Sequence, residues 1–287
     1  MASGHRLVAL LGYPLGHSLS PLIHNTSFRS QGLPFVYELR ATPREALTAA
    51  IEQLKHDGFA GANVTVPHKS SVVPFLDHAT DMVRATGAAN TLVFDLETGR
   101  LSGDNTDVRG FLDTLKDASQ HVQNAIIFGA GGAARAVVYG LLTGSSVDAL
   151  TIVARNQERG EALVESLRFA AGTIALSTCA PALAGKLVRA ADLLVNATPA
   201  GMHPAAHDTP WPADSDFGTH QVVYDLIYNP TETRFLQEAK NRGARTINGM
   251  AMLVRQADLS YRQWTGRPLD IERVRSALAD AGYHPSS

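Results

Sequence analysis

The stretch Ala125-Ile-Ile-Phe-Gly-Ala-Gly-Gly-Ala-Ala-Arg135 puts small residues where a backbone must approach something closely. Apolar Ala125–Phe128 has the character of a short buried strand, and a helical pattern follows the glycines to about Leu142. Gly129, Gly131 and Ala134 occupy the small positions of G-x-G-x-x-G/A, the strand–turn–helix arrangement that holds a pyrophosphate. The first glycine permits the tight turn. The second lets backbone N–H groups reach the phosphates, and the third position lets helix and strand pack closely. The phosphates would then lie at the positive end of a helix dipole. On its own the pattern also describes a tight turn in any buried α/β unit.

The following run, Leu150–Ala154, is apolar and β-branched and ends at Arg155, with Arg159 one helical turn further on. An acidic residue here would take a ribose 2′-hydroxyl and point to NAD. Two guanidiniums instead suit a 2′-phosphate, because each donates paired, charge-assisted hydrogen bonds, so the expected cofactor is NADP. The competing reading makes both arginines solvated residues of a helix that starts near Asn156.

Three further clusters carry polar chemistry. Ser18 and Ser20 flank the start of a helix and could cradle a carboxylate. Ser20, followed by Pro21, could equally be an N-cap. Asn63 and Thr65 alternate on one face of the strand Gly61–Val66, and ligands of open α/β sheets bind beyond the carboxyl ends of the strands. Lys69 lies just past that strand and, taken alone, reads as a surface lysine. The run Gly103-Asp-Asn-Thr-Asp107 holds more short polar side chains than one helix cap needs.

The elements that must position these groups follow from the pattern of apolar residues. Leu7–Leu11 reads as a first strand, Phe35–Leu39 as a second, and Thr42-Pro-Arg-Glu45 as a capping box opening a helix to about Gly58. That βαβ unit predicts a parallel strand next. Strands at 88–94 and 100–103 meet near Thr98-Gly99, and a helix runs from Val108 to about Ala118. A domain boundary is expected between about 105 and 124. Beyond Arg159 come strands at Asp192–Ala197, Gln221–Leu226 and Ala244–Ile247, a loop at 203–220, a helix capped by Thr231, and helices from Gly249 and Asp270.

Composition excludes several classes. The chain has 287 residues, room for two domains, and a net charge of −2, which gives nucleic acid and anionic membranes no purchase. Its one cysteine, Cys179, excludes an intrachain disulfide, and the scattered histidines show no zinc-site spacing, so no metal is expected. No apolar run approaches the ~20 residues of a membrane span. The expectation is a cytoplasmic enzyme acting on a small molecule.

The ordered motifs Gly12-Tyr-Pro-Leu-Gly-His-Ser-Leu-Ser-Pro21, Gly61-Ala-Asn-Val-Thr-Val-Pro-His-Lys69, Gly87-Ala-Ala-Asn-Thr91, Gly103–Asp107, Gly129–Ala133, Asn196-Ala-Thr-Pro-Ala-Gly-Met202, Tyr224-Asp-Leu-Ile-Tyr-Asn-Pro230 and Asn248-Gly-Met-Ala-Met-Leu-Val-Arg-Gln256 together resemble the shikimate dehydrogenase family. The resemblance covers about Leu10 to Gln256. It implies a two-domain α/β fold: an N-terminal substrate domain, 1–107 completed by helices in 248–287, and a Rossmann-like NADP domain, 108–247, with the active site in the cleft between them. It implies Lys69 and Asp107 as the catalytic pair, and Ser18 and Ser20 on the substrate carboxylate. Asn63, Thr65, Asn90, Tyr228 and Gln256 would contact carboxylate or ring hydroxyls. Gly129, Ala130, Gly131, Gly132 and Ala133 would hold the pyrophosphate, and Arg155 and Arg159 the 2′-phosphate. Thr198, Leu226 and Gly249 would complete the cofactor site. The family usually has Asn-Arg-Thr where this chain has Ala154-Arg155-Asn156.

The implied reaction is reversible reduction of 3-dehydroshikimate to shikimate by NADPH, in aromatic amino-acid biosynthesis. Negative charge develops on the carbonyl oxygen as hydride arrives, and Lys69 could meet it as cation and proton donor while Asp107 orients. An NAD-dependent quinate/shikimate dehydrogenase and a non-catalytic NADP-binding regulator are the alternatives. The family contains monomers and dimers.

Overall fold

The computed structural model describes residues 5–16, 18–117, 122–211 and 217–283. His17, the expected helix end at Ala118, the 118–121 part of the expected boundary and 212–216 of the expected loop lie outside the described residues. The chain forms two compact units, one of Met1–Thr106 with Val254–Tyr283, the other containing Asp107–Leu253.

The first unit is built on strands β1 (Arg6–Gly12), β2 (Phe35–Ala41), β3 (Gly61–Val64), β4 (His78–Ala79), β5 (Thr91–Phe94) and β6 (Leu101–Asp104). They form one sheet in the order β2-β1-β3-β5-β6-β4. β1 runs parallel to both neighbours, so β3 is parallel to β2, as the βαβ reading requires, but lies one strand away from it. β5 is antiparallel to β3 and to β6. Val8–Leu11 are buried on both faces, which accounts for their unbroken apolar run. Around the sheet lie α1 (Ser20–Ser30), α2 (Leu47–His56) and α3 (Asp81–Thr86).

The second unit carries α4 (Asp107–Asp117), β7 (Asn124–Phe128), α5 (Gly132–Gly144), β8 (Ala149–Val153), α6 (Gln157–Ala171), β9 (Ala175–Cys179), α7 (Gly185–Ala190), β10 (Leu193–Asn196), β11 (Val222–Asp225), α8 (Arg234–Asn241) and β12 (Arg245–Ile247). All its strand pairs are parallel, in the order β12-β11-β10-β7-β8-β9. Numbered within the unit this is 6-5-4-1-2-3, the doubly wound Rossmann order, whose topological switch point falls between β7 and β10. Ala125 and Ile127 enter the core with Val137, Leu141 and Leu163, while Ile126 and Phe128 enter the one with Val188, Leu194 and Phe235. Alternation along one strand thus feeds two cores, one on each face of the sheet. Helices α9 (Met250–Thr265) and α10 (Ile271–Asp280) follow, and most of α9 and all of α10 belong to the first unit. Trp264 of α9 donates its indole N–H to Leu92 O at 2.9 Å, and a Cβ on Gly61 would collide with that indole.

Three expected caps are placed differently. Ser20 is not the N-cap of α1. Leu19 takes that position in helical geometry, and the Ser18 hydroxyl accepts from Ser20 N at 3.3 Å. Thr42 does not form a capping box, because its hydroxyl donates to Arg40 O at 2.7 Å and its N–H to Gly12 O, both at the sheet end. Thr233, rather than Thr231, caps α8, accepting from Leu236 N at 3.3 Å. β3 also ends at Val64, two residues short of the expected strand end, and Thr65 O accepts from His68 N to begin a turn.

Candidate functional site

In the first unit the predicted polar residues converge at the ends of β3 and β5. Asn63 and Asn90 are 5% and 3% exposed, so each amide must find partners inside the protein. Asn63 Nδ2 donates to Asn90 O at 3.0 Å and to Ser260 Oγ at 3.1 Å, and Asn63 Oδ1 accepts from the Tyr37 hydroxyl at 2.8 Å. Asn90 Oδ1 accepts from Thr106 N at 2.8 Å and from the Thr91 hydroxyl at 3.0 Å. Asn90 Nδ2 donates to Thr106 Oγ1 at 2.9 Å and, at 3.4 Å, to Gln256 Oε1. The structure therefore brings Asn63, Asn90 and Gln256 into one buried network. Ser18 and Ser20 form a second, local pair at the start of α1.

Lys69 sits on the turn after β3. Its carbonyl accepts from Ala89 N at 2.7 Å, and the neighbouring His68 ring contacts Thr42 O at 2.6 Å. The backbone that carries Lys69 is thus tied to the backbone that carries Asn90. Thr65, half-buried, donates its N–H to Leu11 O. Within the run Gly103–Asp107, Asp104 accepts from Thr80 and Gln263, and Asn105 donates to Thr86 Oγ1 and Ala88 O. These polar side chains serve the scaffold. Asp107 opens α4 at 5% exposure, in the first turn where a helix dipole favours a carboxylate.

In the second unit Gly129 has φ +107°, a conformation only glycine adopts without strain. Gly131 is the extended N-cap of α5 and supplies no side chain to the first-turn N–H groups. A Cβ at Gly131 would meet nothing within 4 Å. Uncapped donors beside open space are what a pyrophosphate requires, so residues 129–133 fit a dinucleotide. Arg155 and Arg159 are both exposed at the end of β8 and the start of α6. Asn156 is committed to capping α6, its side chain accepting from Arg159 N at 2.9 Å. Thr198 stands beside Gly129, whose Cβ would lie 2.9 Å from Thr198 Cγ2. A Cβ on Gly249 would collide with Leu226 O, and Gly249 N donates to Ile227 O at 3.0 Å, so the Leu226 and Gly249 backbones are in contact. Tyr228 is half-buried on the same segment.

The residues that the sequence did not single out are the connectors: Tyr37, Thr91 and Ser260 in the first unit, Asp225 and Thr233 in the second. The available signal was a polar residue closing a buried apolar strand, as Asn196 and Asp225 do.

The strand order and the glycine turn define a dinucleotide-binding α/β protein with a second, separately folded unit. Residues 10–92 match the sequence profile of the shikimate dehydrogenase substrate binding domain, and residues 249–279 that of the shikimate 5'-dehydrogenase C-terminal domain. A Salinibacter ruber protein named shikimate dehydrogenase (NADP(+)) is 48% identical over 95% of this chain and 96% of its own. The crystal structure of shikimate 5-dehydrogenase from Thermus thermophilus in complex with NADP(H) and shikimate aligns with a TM-score of 0.84 at 35% identity, over 96% of this chain and 99% of that one. Quinate dehydrogenase from Corynebacterium glutamicum in complex with NAD aligns with a TM-score of 0.86 at 31% identity, over 96% and 99% of the two chains. The chain belongs to the shikimate dehydrogenase family.

Among the described residues no helix is long and apolar enough to cross a membrane.

Proposed function

We propose that this protein catalyses the reversible reduction of 3-dehydroshikimate to shikimate with NADPH, in the cytoplasm, as a monomer or homodimer. The observation that carries the reading is the convergence of Asn63, Asn90 and Gln256 in one buried network, in a chain 48% identical to an NADP-dependent shikimate dehydrogenase. Bound NADPH supplies the hydride to the 3-keto carbon. The backbone N–H groups of 129–133 hold the pyrophosphate, and Arg155 and Arg159 pair with the 2′-phosphate. Leu226 and Gly249 line the nicotinamide side, and Thr198 completes the cofactor site.

Ser18 and Ser20 take the substrate carboxylate. Asn63, Thr65, Asn90, Tyr228 and Gln256 recognise carboxylate and ring hydroxyls, with Asn63 acting chiefly by fixing Asn90, since its own amide is committed within the protein. Lys69 stabilises the developing oxyanion and gives it a proton, and Asp107 keeps Lys69 or the substrate hydroxyl in register.

Initial rates with shikimate and with quinate, each with NADP⁺ and NAD⁺, test the proposal. A kcat/KM preference for shikimate with NADP⁺ supports it. A preference for quinate with NAD⁺ moves the chain to the reading favoured by the Corynebacterium glutamicum alignment. Turnover with none of the four pairs would leave a nucleotide-binding regulator.

A further inference from the structure

The ends of β10 and β11 are clasped by two buried side chains with no role yet assigned. Asn196 and Asp225 are register partners, each the last residue of its strand, and each is fully buried. Asn196 Nδ2 donates to Asp225 Oδ1 at 3.0 Å and to Ala200 O at 3.1 Å. Asn196 Oδ1 accepts twice from Thr198, from the backbone N at 3.0 Å and the hydroxyl at 2.7 Å. Asp225 Oδ1 also accepts from Ile227 N at 3.0 Å, and its Oδ2 accepts from the Thr233 hydroxyl at 2.6 Å. The Thr198 hydroxyl in turn accepts from Ala200 N at 3.2 Å. Two side chains thus fix the first residues of the loops that leave β10, which borders the switch point, and its neighbour β11.

What those loops carry decides the interpretation. Thr198 is pressed against Gly129 of the glycine turn, and Leu226 against Gly249, so each loop carries a residue assigned above to the cofactor site. A network serving packing alone would be expected to point into a core. This one is spent on the turn that holds Thr198, on Ile227 N next to Leu226 and on Thr233 at the start of α8. It also keeps a carboxyl group buried with no cation bonded to it among the described residues, and burial pushes that carboxyl up to about 7 against its hydrogen bonds from Thr233, Ile227 and Asn196. Retaining so costly a group is reasonable where an exact backbone position matters more than stability.

We propose that Asn196 and Asp225 are positioning residues of the NADP site, setting where Thr198 stands against Gly129 and Leu226 against Gly249. The proposal rests on the reading of the second unit as the NADP domain.

Nicotinamide fluorescence titration with NADPH, together with separate KM values for NADP⁺ and shikimate, tests it on wild type, Asp225→Asn and Asn196→Ser. Both variants should bind NADPH roughly tenfold or more weakly. KM for NADP⁺ should rise in parallel and KM for shikimate should stay within about twofold. Gln221→Leu supplies the structural contrast: it removes the buried amide that bonds Val188 O and Ala191 O at the opposite end of β11 and should lower the melting temperature while NADPH affinity is kept. Should Asp225→Asn fail to fold, Asn196→Ser carries the test, because it leaves the carboxylate with its Thr233 and Ile227 bonds. NADPH affinity unchanged in the folded variants, or equal rises in both KM values, would overturn the inference. Wild type that binds no NADPH would overturn the NADP reading itself.

Discussion

The Tyr37 hydroxyl donates to Asn63 Oδ1 at 2.8 Å while the Tyr37 ring stacks on His24 with centroids 4.5 Å apart and planes 10° from parallel. One aromatic residue of β2 therefore orients the amide that supports Asn90. Tyr37→Phe keeps the stack and deletes only the hydroxyl. Loss of that donor to a buried acceptor should cost about 1–2 kcal/mol of stability. Freed of it, the Asn63 amide should let Asn90 shift, raising KM for shikimate severalfold with KM for NADP⁺ unchanged. Steady-state kinetics with a melting curve checks both parts.

Lys69→Ala should reduce kcat by ~10²-fold or more and change KM modestly, as expected for a group acting in the transition state. The turn should survive, because backbone hydrogen bonds and the His68 ring hold it. A large KM rise with kcat intact would make Lys69 a binding residue.

Arg155→Ala and Arg159→Ala should each raise KM for NADP⁺ by about 10- to 100-fold, the loss of a charge-assisted contact to a dianion. KM for NAD⁺ should not move, and both side chains are exposed, so stability should hold. Equal effects on the two cofactors would remove the 2′-phosphate assignment.

The two units should respond to pH in opposite senses. His24, buried among Tyr37, Tyr261 and Trp264, has its pKa lowered to about 3, burial outweighing the opposing effect of Asn63. From about pH 6.5 down to about 3 the unfolded chain binds a proton that the folded unit refuses, so the first unit loses stability on acidification. Asp225 is raised to about 7 by burial. Between about pH 4 and 7 the folded second unit holds a proton that the unfolded chain releases, so its stability is fullest at low pH and is lost as pH rises. Each slope is about 1.4 kcal/mol per pH unit where its own window is open. Hydrogen exchange at pH 5 and pH 7, corrected for intrinsic rates, should show β1 and β3 better protected at 7 and β10 and β11 better protected at 5. Shifts of the same sign in both units would contradict this.

Continuous apolar runs made the central strands legible. Val8–Leu11 and Ala125–Phe128 are buried on both faces, so nothing in the sequence competes with that reading. Strand β9 has no such signature, because its residues are exposed or half-buried throughout. The displaced caps share one cause. A hydroxyl bonds whichever backbone group the tertiary fold brings to it, and for Thr42 that is Arg40 O, not the helix. For the site, the glycines, Lys69 and the amides stood out by type and order. Ser260 could not, since it lies 197 positions from Asn63 and 169 from Thr91 and meets them only after the intervening chain has folded back.

That long return has a further consequence for how the protein is made. The first unit is completed by α9 and α10: Gln31 Nε2 donates to Pro268 O, Asp270 N to Ser27 Oγ, and the Trp264 indole to Leu92 O. A nascent chain emerging from the ribosome therefore exposes the sheet of the first unit, and the face on which Trp264 will lie, throughout synthesis of the second. The second unit is nearly continuous in sequence and can close as it emerges. Translation order and the order of completion are thus reversed. The domain begun first waits longest with its apolar surface open, and that interval is where a slowed or interrupted chain is most prone to aggregate.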